Sequence, residues 1–485
     1  MKKAFFTTIL PALAASLALF SCASQPSAAP ARSITPASYT APSVSGLLNL
    51  GNVQALRISE DSIDHLNRGK DLYAAGRFDE AIAELTQAIS LDPNDAEAYY
   101  FRGNAYASKG DYDSAIADYT QAIRLDPNYA RAYNNRGVAY GNKRDYDQEI
   151  ADYTQAIRID PNDAYAYYNR GLAYGNKQDY DRAIADLTQV IRIDPNDAYA
   201  YNNRGNAYAR KGDYDSAIAD YTQVIRIDPN HADAYYNRGN TYALKGDYDS
   251  AIADYTQAIR IDPNHASAYR NRGNAYYDKG DYDRAIADYT QAIRINPNYA
   301  SAYRNRGNAY YRKGDYDWAI ADYTQAIRLN PNDAGAYYNR GLTYGRKEDY
   351  DRAIADYTQA IRLNPNYASA YNNRGNAYAL KGNYDRAIAD FTQAIGINPN
   401  DASAYNNRGN VYRNKGDYDQ AIADYTQAIR IDPNYAEVYH NRGNAYYDKQ
   451  DYDRAISDYE AALKIDPNLT DTRRYIELAR QARGW

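Results

Sequence analysis

Proline stands at 93, 127, 161 and then at every thirty-fourth position as far as Pro467, twelve times without a slip. Glycine keeps the same period from Gly69 to Gly443. A beat this long excludes one large mixed core. It requires a short unit that cannot bury its apolar face alone and buries it by stacking on copies of itself. The skew of 58 tyrosines against 6 phenylalanines and 2 tryptophans is what copying one segment leaves behind. With Ser62 as slot 1 of 34, twelve repeats fill residues 62–469.

Each repeat holds two helical patterns. Slots 1–14, as in Ala96–Lys109, carry Tyr99, Gly103 and Tyr106 at i, i+4 and i+7. Slots 18–30, as in Asp113–Leu125, place Ala115, Ile116, Tyr119, Ala122 and Ile123 on one stripe. Between them Gly110 suits the left-handed end of a helix, and Asp111 suits the N-cap of the next. Pro127 disfavours helical geometry at the residue before it and so stops the second helix. Acidic residues open that helix and Arg124 closes it, the order its dipole favours.

Tyrosine at slot 4, glycine at 8, tyrosine at 11, alanine at 20, tyrosine at 24, alanine at 27 and proline at 32 resemble the tetratricopeptide repeat (TPR). The resemblance covers all twelve units. It implies an all-α TPR solenoid, a right-handed superhelix of antiparallel helix pairs with first helices lining a concave groove. A terminal cap is required, and it falls to residues 470–485, where Tyr475, Leu478, Ala479 and Ala482 suggest an apolar stripe.

The stretch NNRGNAY, at 202–208 and again at 372–378, puts three mediocre helix formers into one helix. Advancing about 100° per residue, slots 2, 5, 6, 9, 12 and 13 form one face beside the core. Slot 6 is asparagine in eleven repeats, Phe101 being the exception, and slot 9 in eight. An amide side chain both donates and accepts, so a row of amides pairs with the backbone of an extended peptide without reading its sequence. This pattern is similar to the asparagine ladder in the repeats of O-linked N-acetylglucosamine transferase. The similarity implies peptide binding along Asn135, Asn169, Asn203, Asn237, Asn271, Asn305, Asn339, Asn373, Asn407 and Asn441, joined at slot 9 by Asn206, Asn240, Asn274 and Asn308. Glycosyl transfer is not expected, since residues 470–485 leave no room for a catalytic domain. The plain alternative is a solvated face multiplied by duplication.

Differences among the copies add detail. Tyr165, Tyr168, Tyr199 and Tyr236 make an aromatic section in repeats four to six. Repeats seven and eight offer Arg270 and Arg304 at slot 5, with Arg312 and Arg346 at slot 13 of repeats eight and nine. Arg270, Asn274 and Asn305 partly resemble the carboxylate clamp of chaperone-binding members of the family, which implies an acidic or C-terminal carboxylate segment docking there. Gly335 and Asn339 stand where further basic residues of a full clamp would be. Slot 7 is arginine and slot 23 acidic in all twelve repeats. A partly buried arginine without a partner is costly, so pairs such as Arg204–Asp220 are expected within or between repeats.

Some copies break the pattern. Glu149 replaces the slot-20 alanine, and Gly396 replaces a helical arginine at a cost of about 1 kcal/mol. Arg144, Gln178, Glu348 and Gln450 replace the turn glycine. The third and tenth repeats are therefore expected to be locally weaker.

The N-terminus is of another kind. Met1, Lys2 and Lys3 precede an apolar run over residues 4–20 that contains Pro11 and is short for a membrane span, which reads as a signal peptide over 1–21. The single cysteine, Cys22, follows at once and resembles the lipobox of bacterial lipoproteins, although Phe20 departs from the small residue usual there. The resemblance implies lipidation of Cys22 and an exported, membrane-anchored lipoprotein facing the periplasm or cell surface. The alternative is an ordinary signal with Cys22 incidental. Residues 23–45 read as a flexible Ala/Ser/Pro-rich tether within a 22–61 segment, with a short helix over 47–56.

Formal charge of −6 supplies no basic footprint for nucleic acid. His65, His231, His265 and His440 form no ligand spacing for a metal, and no nucleophile constellation or phosphate-binding glycine loop is present. The expectation is a non-catalytic protein- or peptide-binding scaffold of the bacterial cell envelope, without cofactor or metal. The alternatives are a structural assembly or surface-adhesion protein using convex faces, and an accessory subunit of an envelope enzyme complex.

Overall fold

The computed structural model describes residues 50–484. The signal segment, Cys22 and the tether to residue 49 lie outside the described residues, as does Trp485. Among the described residues there are twenty-five α-helices and no strand. They fall into two compact units, one ending at Pro263 and the other running from Asn264. The first holds repeats one to six, the second repeats seven to twelve and the terminal helix. In each unit the two helices of a repeat pack side by side, and each second helix packs on the first helix of the next repeat.

Repeat five shows how the sequence builds one pair. Its first helix, Ala198–Lys211, opens where Asp197 accepts from the backbone of Ala200, and it closes on Gly212 at φ 87°. The second, Tyr214–Ile227, is capped by Asp213, which accepts from the Ser216 amide, and it ends on extended Asp228 before Pro229. Where the turn glycine is missing, Arg144, Gln178, Glu348 and Gln450 take the left-handed conformation themselves, at φ 62–63°. The turn survives at a cost of about 1 kcal/mol each. The stretch expected as a separate short helix is, from Leu50 on, continuous with repeat one in a single helix, Leu50–Ala74. No glycine or proline interrupts residues 52–68.

The core is built from small residues around one large side chain per repeat, a tyrosine except for Leu85, Leu187 and Phe391. Ala217 and Tyr221 are fully buried, as are their equivalents in both units apart from Glu149, which is 8 % exposed. Glycine at slot 8 is what admits the ring: a Cβ at Gly205 would sit 2.9 Å from Tyr221 Cε1.

The expected arginine–acid pairs form within each repeat. Arg204 donates from Nε and Nη2 to the two oxygens of Asp220 at 2.8 and 2.7 Å, and from Nη1 to Thr188 Oγ1 at 3.0 Å in the preceding repeat. One guanidinium thus clasps two successive second helices, and it lies 5.5 Å from the Tyr201 ring centroid. Repeat one differs: Arg68 reaches Glu84 at 3.3 Å with His65 also on that carboxylate. An exposed lysine–aspartate pair, as in Lys211–Asp181, adds a second link between repeats, of small energetic worth.

The terminal helix, Thr470–Ala482, packs on the last second helix. Its buried residues are Thr472, Ile476 and Ala479, with Tyr475 against Tyr459 at 5.9 Å. The expected stripe is corrected here: Leu478 and Ala482 are exposed, because positions 472, 476 and 479 at i, i+4 and i+7 already fill the contact face.

Candidate peptide-binding face

In nine of the twelve repeats the second helix buries a tyrosine whose hydroxyl must find a partner away from water. Slot-9 asparagine supplies it. Tyr221 donates to Asn206 Oδ1 at 2.7 Å, and Tyr255, Tyr289 and Tyr323 donate to Asn240, Asn274 and Asn308 at 2.8 Å.

Slot-6 asparagine then reaches back to the preceding repeat. Asn135, Asn305 and Asn339 donate from Nδ2 to Asn104, Asn274 and Asn308 at 2.7, 2.9 and 2.9 Å. For five others the acceptor is the slot-5 residue. It is a tyrosine hydroxyl for Asn203 on Tyr168 and Asn373 on Tyr338. It is an amide for Asn237 on Asn202, Asn407 on Asn372 and Asn441 on Asn406. The asparagines therefore first bond the repeats to one another.

Four repeats lack the slot-9 amide: Lys70, Val138, Leu172 and Leu342 stand there instead. In repeats one and four the slot-24 residue is Leu85 or Leu187, so there is no hydroxyl to satisfy. With Leu342 at slot 9, the Tyr357 hydroxyl is buried and unpartnered. With Val138, Tyr153 instead donates to Glu149 at 3.4 Å.

These bonds leave a defined remainder. Among the described residues, Nδ2 of Asn274 and Asn308 and Oδ1 of Asn305 and Asn339 have no bond within the protein. Each of these two cross-repeat pairs thus keeps one amide donor and one amide acceptor, and all four side chains are partly exposed. Asn203, Asn206, Asn237 and Asn240 in the first unit are also partly exposed. In repeats ten and eleven the face largely closes over: Asn373 and Asn407 are 8 % exposed, Asn376 4 % and Asn406 3 %. Asn373 and Asn407 face protein, because Tyr338 and Asn372 hold their amides. Asn441 is partly exposed, as are Asn135, Asn169 and Asn271.

Charge on this face is largely spent. Arg304 grips both oxygens of Asp333 at 3.0 and 2.8 Å. Arg270 bonds Asn271 and Ser301 and lies 5.2 Å from the Tyr299 ring centroid. Arg312 is exposed and donates to the Tyr277 hydroxyl at 3.2 Å. The structure thus breaks the basic section expected for an acidic ligand at Arg304, whose partner lies in the loop opening the next repeat. Tyr199 and Tyr165 are 59 % and 50 % exposed, while Tyr168 is held by Asn203.

One exposed aromatic lies outside the residues that the periodic pattern singles out. Trp318 is 66 % exposed and stacks on Tyr310 at 6.1 Å, where other repeats set an arginine over that ring, as Arg284 over Tyr276. Its signal in the sequence is that no other repeat carries a tryptophan.

The histidines have local duties. His231 and His265 cap helices by accepting from Ala234 and Ala268, and His440 meets Thr472 at 2.9 Å. Burial, more than the nearby Arg413, holds the His440 imidazole below its ordinary pKa. Among the described residues no three His, Cys, Asp or Glu side chains gather as metal ligands, and no helix is long and apolar enough to cross a membrane.

Family models described as TPR repeat match residues 205–246, 239–280, 273–314, 307–348 and 409–450. Models described as tetratricopeptide repeat match 66–128, 104–164 and 338–402, then 164–197 and 436–469, then 187–219 and 391–423. Together they run without a gap from 66 to 469, and the chain belongs to the tetratricopeptide repeat family. Members of this family bind protein or peptide partners.

Among solved structures, the chain is similar to MamA, with 32 % identity over 34 % of this chain and 96 % of that one, at a TM-score of 0.33. It is similar to YrrB, described as a TPR protein with an unusual peptide-binding site, with 30 % identity over 38 % and 95 %, at 0.35. A tetratricopeptide repeat protein from Parabacteroides merdae shares 24 % identity over 51 % and 98 %, at 0.41. No curated protein matches the chain.

Proposed function

We propose that this chain is a non-catalytic scaffold of the bacterial cell envelope that holds an extended protein segment along its first-helix face. One observation carries the reading. After the internal bonds are made, Asn274–Asn305 and Asn308–Asn339 each retain one free amide donor and one free carbonyl, the complement of a peptide unit. The two pairs occupy consecutive repeats, with exposed Arg312 beside the second. Asn203, Asn206 and Asn237, partly exposed beside the exposed Tyr199, continue the polar first-helix face in the first unit. An acidic residue in the bound segment is best placed near Arg312, since Arg304 is neutralised by Asp333.

The positive head, the apolar run and Cys22 support export, lipidation at Cys22 and a membrane-anchored location. Radiolabelled palmitate entering the wild type but not Cys22→Ala supports the anchor, and equal labelling removes it.

Photocrosslinking from single sites in envelope extract tests the groove. A photoreactive residue at Ser301 or Ser267 should give a discrete adduct, and one at the exposed Arg294 on a second helix should not. Adducts from Arg294 alone would favour assembly or adhesion through the outer faces, or an accessory role in an envelope enzyme complex.

A further inference from the structure

Glu149 is the one slot-20 residue that is not alanine; the other eleven repeats carry Ala81, Ala115 and their equivalents. Its side chain lies in the core of repeat three at 8 % exposure. Gly141 on the facing helix, Ala130–Asn142, makes the room: a Cβ there would stand 2.6 Å from Glu149 Oε1. Oε1 accepts from Tyr153 at 3.4 Å, and Oε2 is buried with no partner.

Among the described residues no basic side chain forms an ion pair with it. On the helix before, Arg136 is committed to Asp152 and Lys143 to Asp113. On the helix after, Arg170 is committed to Asp186 and Lys177 to Asp147. On its own helix, Tyr146–Ile159, Asp145 caps the start by accepting from Gln148, and Tyr153 is the titratable group in contact. Repeats three and four hold two more buried unsatisfied atoms, Asn134 Oδ1 and Asn169 Nδ2.

We propose that repeat three is a pH-governed joint: its helices close on a neutral Glu149 carboxyl and part to hydrate it once it ionises. A lone buried carboxylate costs several kcal/mol without a partner, so ionisation and opening are coupled. Burial, opposed by the Tyr153 hydroxyl, pushes this carboxyl from its ordinary 4.5 up to about 7. The closed joint therefore keeps a proton that the open joint has lost between those values. Closure weakens as pH rises through this window and levels off above it. Linkage turns the shift into a roughly thirty-fold rise in the opening equilibrium between pH 5.5 and 8. Any effect on ligand holding, through Asn135 and Asn169 over the joint, rests on the peptide-groove reading, whereas the joint itself does not.

Amide hydrogen exchange of the full chain tests it, read as protection factors so that intrinsic pH dependence divides out. Amides of 130–176 should lose protection by about thirty-fold from pH 5.5 to 8, while those of the sixth repeat stay level. Glu149→Ala, which restores the residue of every other repeat, and Glu149→Gln should both abolish the change. Level protection at 130–176 in the wild type, or an unchanged pH response in Glu149→Ala, would overturn the proposal.

Discussion

Tyr357 buries a hydroxyl that Leu342 cannot accept, at the place where Asn308 receives the hydroxyl of Tyr323 one repeat earlier. The two sites differ by one side chain, so they separate the worth of a ring from the worth of its hydrogen bond. Tyr357→Phe should be neutral or stabilising, whereas Tyr323→Phe should cost about 1 kcal/mol and leave Asn308 short of a donor. Leu342→Asn should recover a similar amount. Local hydrogen exchange on residues 334–363 and 300–329 reads each change in its own repeat.

The Arg204–Asp220 clasp is nearly buried, with side chains 16 % and 6 % exposed, so breaking one half strands the other. Asp220→Ala should destabilise by about 3–5 kcal/mol. Thr188→Ala, which removes only the link to the preceding repeat, should cost about 1 kcal/mol. Urea denaturation of the single and double variants checks this, because in a clasp the two losses do not add.

Arg144 holds a left-handed turn at φ 63° that glycine occupies in most other repeats. Arg144→Gly should stabilise the third repeat by about 1 kcal/mol. Gly212→Ala, with φ 87° and open space around it, should cost about the same for the mirror reason. Thermal unfolding followed by circular dichroism gives the sign of each.

The fold was readable from the sequence because each repeat states its own boundaries: Gly212 and Asp213 end one helix and cap the next, and Pro229 stops the second. The arginine–acid pairing was readable too, since slot 7 is arginine and slot 23 acidic in every repeat and both lie within one hairpin. What the asparagines touch was not readable. Asn305 meets Asn274 and Asn373 meets Tyr338, partners 31 and 35 residues away whose meeting depends on how one repeat sits on the next. Helical-wheel geometry placed these amides on an open face, and cross-repeat packing decided which stay open. Arg304 read as a free cation for the same reason, its partner Asp333 lying in the following loop. The stripe of the terminal helix failed at Leu478 because a capping helix has only one packed side.

The central claim is that the partly exposed amide pairs, and not the buried ones, hold the ligand. Once crosslinking has supplied the bound segment, its affinity should be measured by calorimetry for the wild type, for Asn305→Ala with Asn339→Ala, and for Asn373→Ala with Asn407→Ala. Circular dichroism confirms that each is folded. The account predicts a loss of at least tenfold for the 305/339 variant and little change for the 373/407 variant. Equal affinity across all three, or loss confined to 373/407, would contradict it and leave the asparagines as ties between repeats alone.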